Sequence, residues 1–315
     1  MALAARRRYR AGRNVKYRTS AAFRTALEAR LKAAQHDGVG LARLRKRVVF
    51  ERLLARLHVV APDAWVLKGG FALELRLGAQ ARTTKDIDVD WAIGEDEAVG
   101  LLLDAAAVRL DDRFDFAVER SQVDDDLPGG GQRWTVAATL AGREFERVAI
   151  DIGFATDPVF EPETIVSSQL LDFADIAPVR IPTVAIEQHV AEKLHAYTRT
   201  YAADRPSSRV KDLVDIVVIA HTTAIDGDRL IHAIGEIFQR RGTHPVPQAV
   251  PPPPRDWGLG WRRLVANVPA DEDVGIGYAN AASFLDPILK NELASGTWDP
   301  NVGKWLNGMM NVSSL

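Results

Sequence analysis

Two carboxylates two residues apart, Asp86 and Asp88, lie in a segment that alternates polar and apolar residues from residue 85 to 93. Such alternation predicts a β-strand, and side chains at positions i and i+2 of a strand point to the same side. We expect the two Cα atoms about 6.5–7 Å apart, close enough to share divalent cations. Two carboxylates this close repel each other unless a cation lies between them. The alternative is a solvated strand end, the common meaning of a bare Asp-x-Asp.

A candidate phosphate-binding turn precedes these acids. Lys68, Gly69 and Gly70 follow a short apolar run at 65–67, and residues 71–77 suit a short helix. Backbone amides in a glycine turn at a helix start, together with a lysine charge, can cradle a triphosphate. We therefore predict that Lys68, Gly69 and Gly70 bind a nucleotide.

The polar run 82–85 leads directly into Asp86. We predict that Arg82 and Lys85 are further phosphate contacts and that Thr84 is an exposed hydroxyl beside the nucleotide. A modification of Thr84 would add negative charge next to the cations, which is a hypothesis for regulation.

A third acid, Asp151, interrupts the apolar strand predicted at 145–154, which a turn at 141–143 joins to a strand at 134–140 as a hairpin. An unpaired buried charge is costly, so Asp151 needs a partner unless it turns to solvent. Neighbouring strands lie about 4.8 Å apart, and Asp151 could therefore reach the cations of Asp86 and Asp88.

Two predicted helices carry further charged residues. Lys193 lies on the apolar face of a helix at 184–201, where a lysine that only extends its amine to solvent is the alternative. Lys211 and Asp212 begin a second helix that Ser207 and Ser208 can cap. Because acids favour the first turn of any helix, a purely structural role of Asp212 is the alternative there.

These motifs resemble the AbiEii/AbiGii-type nucleotidyltransferase toxins, MenT-like toxins included, within the DNA polymerase β-like superfamily. The resemblance is carried by four motifs: Lys68-Gly69-Gly70, the run 82–88, a Glu-Lys pair at 192–193 and Arg-x-Lys-Asp-x-x-Asp at 209–215. Gly70 stands where many members of the superfamily carry serine. This difference would leave triphosphate binding to backbone amides and Lys68.

The resemblance implies a polymerase β-like α/β (α+β) core with a mixed sheet. It implies that Asp86, Asp88 and Asp151 are catalytic metal ligands, that Lys193 contacts phosphate and that Asp212 is needed for activity, with Lys211 binding nucleotide beside it. The expected cofactors are two Mg²⁺ ions, with Mn²⁺ as the alternative.

The implied reaction is transfer of NMP from an NTP to an acceptor hydroxyl by the toxin of a toxin–antitoxin pair, and the expected acceptor is the 3′ end of tRNA. The resemblance also implies a cognate antitoxin protein. A protein-modifying (AMPylating) enzyme and a catalytically silent nucleic-acid- or antitoxin-binding protein are the alternatives.

Charge is distributed unevenly along the chain. Residues 1–56 contain 16 lysines and arginines against three acids, whereas the whole chain has a net charge of −2. This basic segment could bind RNA phosphates, although a solvated arm is the alternative. The absence of cysteine excludes disulfides and thiolate chemistry, and no apolar run is long enough to cross a membrane. We expect a cytoplasmic bacterial protein without a membrane partner.

The 315 residues suggest more than one domain. We predict five segments: a basic helical segment 1–58, a nucleotidyltransferase core 59–182, a helical region 183–242 that completes the site, a proline-rich linker 243–256 and a helical subdomain 257–315.

Overall fold

The computed structural model describes residues 16–35, 40–121, 131–154, 156–199 and 209–306. This part of the chain contains nine α-helices: α1 (Ser20–Ala33), α2 (Leu41–Val60), α3 (Gly69–Leu77), α4 (Glu95–Ala107), α5 (Ile186–Thr198), α6 (Val210–Thr222), α7 (Gly227–Arg241), α8 (Gly258–Val265) and α9 (Val274–Leu289). It also contains ten strands: β1 (Trp65–Lys68), β2 (Asp86–Trp91), β3 (Phe114–Arg120), β4 (Gln132–Leu140), β5 (Arg143–Gly153), β6 (Glu163–Val166), β7 (Arg180–Thr183), β8 (Ile225–Asp226), β9 (Thr297–Asp299) and β10 (Lys304–Leu306).

Seven strands form one mixed sheet in the order β3-β4-β5-β2-β1-β7-β6. The β2–β5 and β1–β7 pairs are parallel, and the other neighbours are antiparallel. Ile87, Val89 and Trp91 of β2 are fully buried in a cluster that includes α1, α2 and α4. Because side chains alternate along a strand, the three aspartates of β2 lie on the opposite face. The predicted fold class is confirmed.

A second apolar cluster is built from α5 to α9. The proline-rich segment packs against it: Val250 is buried, its N–H donates to Asp286, and Tyr197 donates to the carbonyl of Pro251 at 2.7 Å. The division of the chain into domains stays a prediction.

The described part of the predicted helical subdomain, residues 257–306, contains strands as well as helices. Trp298 and Trp305 lie in β9 and β10, which form a three-stranded sheet with β8. The indole N–H of Trp298 donates to the carbonyl of Ala220 at 2.7 Å and so joins this sheet to α6. Strands of three residues are too short for an alternating pattern, so only tertiary packing defines them.

A hydrogen-bonded chain connects the ends of α5 and α7. His195 is bonded through Nδ1 to Arg241 at 3.3 Å and through Nε2 to the Thr243 hydroxyl at 2.9 Å. That hydroxyl also contacts His244 at 2.9 Å, and His244 contacts Thr198 at 2.8 Å. When both imidazoles are neutral, each has one N–H donor and one acceptor nitrogen. All the hydrogen bonds of this series can then run in the same direction, from Arg241 towards Thr198.

Candidate active site

One row of four charged residues crosses four neighbouring strands. Lys68 of β1 is the cross-strand partner of Asp88, Asp88 is the partner of Asp151 on β5, and Asp151 is the partner of Arg133 on β4. Cross-strand partners face the same side of a sheet. Strand register therefore places two acids side by side, with a cation at each end of the row.

The three acids of β2 have different surroundings. Lys68 Nζ contacts both carboxylate oxygens of Asp90, at 2.6 and 2.7 Å, and Asp90 is buried. A Cβ at Gly153 would lie 2.3 Å from an oxygen of Asp90, so only glycine leaves room for this carboxylate. Asp86 lies nearer the surface, with 29% of its side chain exposed. Lys68 is thus held at the acid face by Asp90.

Steric contacts explain why both positions of the turn are glycine. Gly69 has a φ of +69°, and a Cβ there would lie 1.8 Å from Oδ2 of Asp88. A Cβ at Gly70 would lie 2.8 Å from the hydroxyl oxygen of Thr84. The hydroxyl of Thr84 therefore takes the space that a side chain at position 70 would need. The start of α3 consequently lies directly against Asp88 and Thr84.

Thr84 itself is not exposed, in contrast to the prediction. Its side chain is 4% exposed, and its hydroxyl contacts the main-chain oxygen of Asp86 at 3.1 Å and the carboxylate at 3.2 Å. Thr84 thus orients Asp86. Lys85 and Lys211 are exposed, and neither forms an ion pair with any residue in the described ranges.

Lys193 of α5 lies in a buried ion-pair network with α6. Its amine contacts Asp212 at 3.1 Å and Asp215 at 3.0 Å, and the guanidinium of Arg82 binds both oxygens of Asp215 at 2.8 and 2.9 Å. Burial lowers the pKa of Lys193, but Asp215 and Asp212 outweigh burial and raise it. Burial likewise opposes ionisation of Asp215, yet Lys193 and Arg82 lower its pKa to about 2. Lys193 therefore stays charged.

Arg133 is a site residue that the sequence did not reveal. Its guanidinium binds both oxygens of Asp151 at 2.6 Å and lies 3.5 Å from Asp86. Asp90 and Asp215 were also not singled out. Asp90 could have been identified from the continued alternation along β2. Asp215 could have been identified from its spacing to Asp212, which places both acids on one helix face. The position of Arg133 depends on the β4–β5 register, which an irregularity at Ala138 and Thr139 shifts from the one that the predicted turn alone would set.

The carboxylates of Asp86, Asp88 and Asp151 lie close together where β2 pairs with β5. Burial, followed by the charges of Asp86 and Asp151, raises the pKa of Asp88 to about 6. Among the residues that the structure describes, no three histidine or acidic side chains are arranged as metal ligands. The carboxylate oxygens of Asp86, Asp88 and Asp151 are nevertheless ligands of the kind that a hard divalent cation prefers. A positive group, the guanidinium of Arg133, already lies between Asp151 and Asp86. Metal binding by Asp86, Asp88 and Asp151 stays a prediction.

The fold is one that solved nucleotidyltransferases also have. The chain aligns structurally with MenT4, a nucleotidyltransferase toxin from Mycobacterium tuberculosis H37Rv, with a TM-score of 0.55 and 19% identity over 85% of this chain and 89% of that one. JHP933 from Helicobacter pylori aligns with a TM-score of 0.44 and 17% identity, over 78% of this chain and 94% of that one. A search of curated proteins returned no significant match.

Residues 52–286 match the family described as "Nucleotidyl transferase AbiEii toxin, Type IV TA system". This match covers more than half of the chain, so the protein belongs to the AbiEii family of nucleotidyltransferase toxins. Membership implies an NTP substrate and an antitoxin partner, and it confirms the predicted family and enzyme class.

The basic segment is only partly described. The cationic residues near the start of this segment are predicted to bind RNA. Those in 1–15 lie outside the described residues, whereas Lys16 and Arg18 are exposed. No helix among the described residues is both long and apolar enough to span a membrane.

Proposed function

We propose that this toxin transfers the NMP group of an NTP to the 3′-terminal hydroxyl of a tRNA and releases pyrophosphate. The observation that carries this proposal is the convergence of Asp86, Asp88 and Asp151 on one sheet face beside the start of α3. Acids in this arrangement, next to the start of a helix and two lysines, suit positioning and charge neutralisation at a phosphoryl group.

The residues have distinct roles in the proposed reaction. The oxygen of the acceptor hydroxyl attacks the α-phosphorus, the bond from that phosphorus to the bridging oxygen breaks, and pyrophosphate leaves. Asp151 accepts the proton of the hydroxyl. Lys68 and the amides of Gly69 and Gly70 hold the triphosphate. Divalent ions, two Mg²⁺ or alternatively Mn²⁺, would be held by Asp86 and Asp88 with Asp151 and would neutralise phosphate charge.

The helical side of the site supplies a fixed positive charge. Lys193 is held by two acids of α6, and its raised pKa keeps it protonated near the triphosphate. Arg82 donates to both carboxylate oxygens of Asp215 through Nε and one terminal nitrogen, so we assign Arg82 to ordering this network. Lys85 and Lys211 are exposed, and we assign them to outer contacts with nucleotide or acceptor phosphates.

A tRNA acceptor is supported by the exposed cations of the basic segment, because lysine and arginine contacts to phosphates supply affinity without reading sequence. Arg52 and Arg56 of that segment are buried, and Arg56 is paired with Asp112, so they do not contribute to this surface. Exposed Lys16 and Arg18 are part of that surface. This assignment predicts that RNA affinity falls steeply with added salt.

The test is incubation of the protein with Mg²⁺, each labelled NTP in turn and total tRNA, followed by separation of RNA and protein on one gel. Label on tRNA that is lost in Asp86→Asn supports the proposal. Asp115→Asn is the matched control, since Asp115 is an exposed acid of β3 with 65% of its side chain accessible. Label only on protein would favour the AMPylating alternative, and no label with any NTP would favour a silent binding protein.

A further inference from the structure

One guanidinium contacts three points of the chain between α3 and β2. Arg43 of α2 donates through Nε to the carboxylate of Glu74 in α3 at 3.0 Å. Its Nη2 donates to two main-chain carbonyls, that of Gly78 at 3.2 Å and that of Ala81 at 2.9 Å. The side chains of Arg43 and Glu74 are 9% and 3% exposed, so these contacts lie inside the protein. Arg43 therefore joins the end of α3 to the residue just before Arg82.

The segment 78–85 depends on side chains for its position. Residues 82–85 belong to neither a helix nor a strand, so no backbone ladder fixes them. Arg82 is held by its ion pair with Asp215, and the hydroxyl of Thr84 contacts the first residue of β2. The start of the segment needs a comparable anchor, and Arg43 provides it.

The carbonyl of Ala81 is the critical contact of that anchor. Ala81 is 3% exposed, and a buried carbonyl requires a hydrogen-bond donor. Arg43 donates to it, and the same nitrogen binds Gly78, the residue with a φ of +62° at which α3 ends. A buried carbonyl that loses its donor destabilises the conformation that buries it. Removal of Arg43 should therefore loosen the segment from its first turn onwards.

The position of this segment reaches the proposed chemistry through Thr84. Its hydroxyl contacts the carboxylate of Asp86 at 3.2 Å and fills the space beside Gly70. Asp86 has 29% of its side chain exposed, so packing alone does not fix it. Because a displacement of about 1 Å at a reacting centre can lower a rate about 100-fold, a loosened segment should slow transfer.

We propose that Arg43 is a positioning residue for nucleotidyl transfer. It binds the carbonyls of Gly78 and Ala81 and thereby fixes the segment that places Thr84 and Asp86. Arg43 precedes residue 52, at which the match to the AbiEii family begins. The N-terminal part of the chain thus contributes to the geometry of the site as well as to its charge. This inference rests on the proposed function.

The first test separates kcat from KM in the full-length protein. Arg43→Gln should lower kcat about tenfold or more, because Asp86 loses its fixed position. The KM for NTP should change less than threefold, because Lys68 and the start of α3 are held by β1 and by Asp90. Glu74→Gln removes the ion pair but leaves both carbonyls bound, so its kcat should stay within threefold of the wild type. Equal losses in the two variants would overturn the proposal.

Arg47→Gln is the matched control. Arg47 lies one turn further along α2 and donates to Glu51 at 3.1 Å, a carboxylate that is 1% exposed. Both arginine variants therefore lose an ion pair with a buried glutamate, and both should unfold at lower urea concentration than the wild type. Only Arg43→Gln should lower kcat. An equal fall in kcat in Arg47→Gln would make the effect one of stability and overturn the proposal.

Hydrogen exchange of the amides in 79–86 measures the anchor without any transfer reaction. Exchange should be roughly fivefold faster or more in Arg43→Gln and unchanged in Arg47→Gln. Arg43→Lys replaces the glutamine variant if that one does not fold, since a single amine cannot span the glutamate and both carbonyls as the planar fork does.

The two readouts also distinguish this inference from the proposed function. Transfer of label by the wild type, with exchange or kcat unchanged in Arg43→Gln, would refute the positioning role alone. Faster exchange in Arg43→Gln, with no transfer of label by the wild type, would refute the proposed function and leave the anchor in place.

Discussion

Replacement of Gly69 by alanine should nearly abolish nucleotidyl transfer while leaving the protein folded. The added Cβ would lie 1.8 Å from Oδ2 of Asp88, and real Cβ contacts are not shorter than 3.0 Å. The carboxylate must therefore move by about 1.2 Å, and a displacement of about 1 Å at a reacting centre can lower the rate about 100-fold. The positive φ of +69° adds about 1–2 kcal/mol of backbone strain for alanine.

Gly142→Ala is a matched control for the backbone strain that alanine causes at a positive φ. Gly142 has a φ of +71° in the β4–β5 turn, and a Cβ there would meet nothing within 4 Å. Both variants should therefore lose about 2–4 °C in melting temperature from strain of similar size. Only Gly69→Ala should lose activity.

The assay is the initial rate of transfer from labelled NTP, measured beside thermal unfolding of the same samples. Activity of Gly69→Ala within threefold of Gly142→Ala would refute the reasoning, because Asp88 would then tolerate a displacement that the proposed site forbids. Loss of activity in both variants would show that the turn between β4 and β5 also determines the geometry of the site.

Two other outcomes follow from contacts described above. Gly70→Ser should lower activity about tenfold or more although serine is common there in the superfamily, because its Cβ would lie 2.8 Å from the hydroxyl of Thr84. Adding Thr84→Ala should restore part of that rate, and a double variant no better than Gly70→Ser would argue against the shared space. Burial, then Arg241 and His244, lowers the pKa of His195 to about 4. At this histidine the unfolded chain therefore binds more protons below about pH 6.5, so the contribution of His195 to stability should be lost as the pH falls from 6.5 to 4. His195→Gln should flatten this part of the pH–stability curve in urea unfolding, and an unchanged slope would contradict the assignment.

Local pattern was sufficient to predict the acid face of the site. Alternation along β2 placed Asp86 and Asp88 on one side, and an acid within an apolar strand identified Asp151 as their neighbour, which the β2–β5 register bears out. The short helix after the glycine turn was also predictable, because Gly78 ends it.

Features that depend on distant parts of the chain were not predictable. Arg133 reaches Asp151 only through strand pairing, and Thr84 is buried only because the chain at Gly70 approaches it. The strands β9 and β10 need β8 and α6 as their template. In each of these cases the deciding interaction joins residues that are far apart in sequence or packed from another element.

The ion-pair network of Lys193, Arg82 and Asp215 has a consequence for biosynthesis. A ribosome that has completed β5 has made Asp86, Asp88 and Asp151. Lys193 of α5 and the two acids of α6 that bind it, Asp212 and Asp215, are still missing at that point. Residues from Lys68 to Asp215 must all have emerged and packed before the site is complete. A nascent chain therefore lacks this network until Asp215 has emerged from the ribosome.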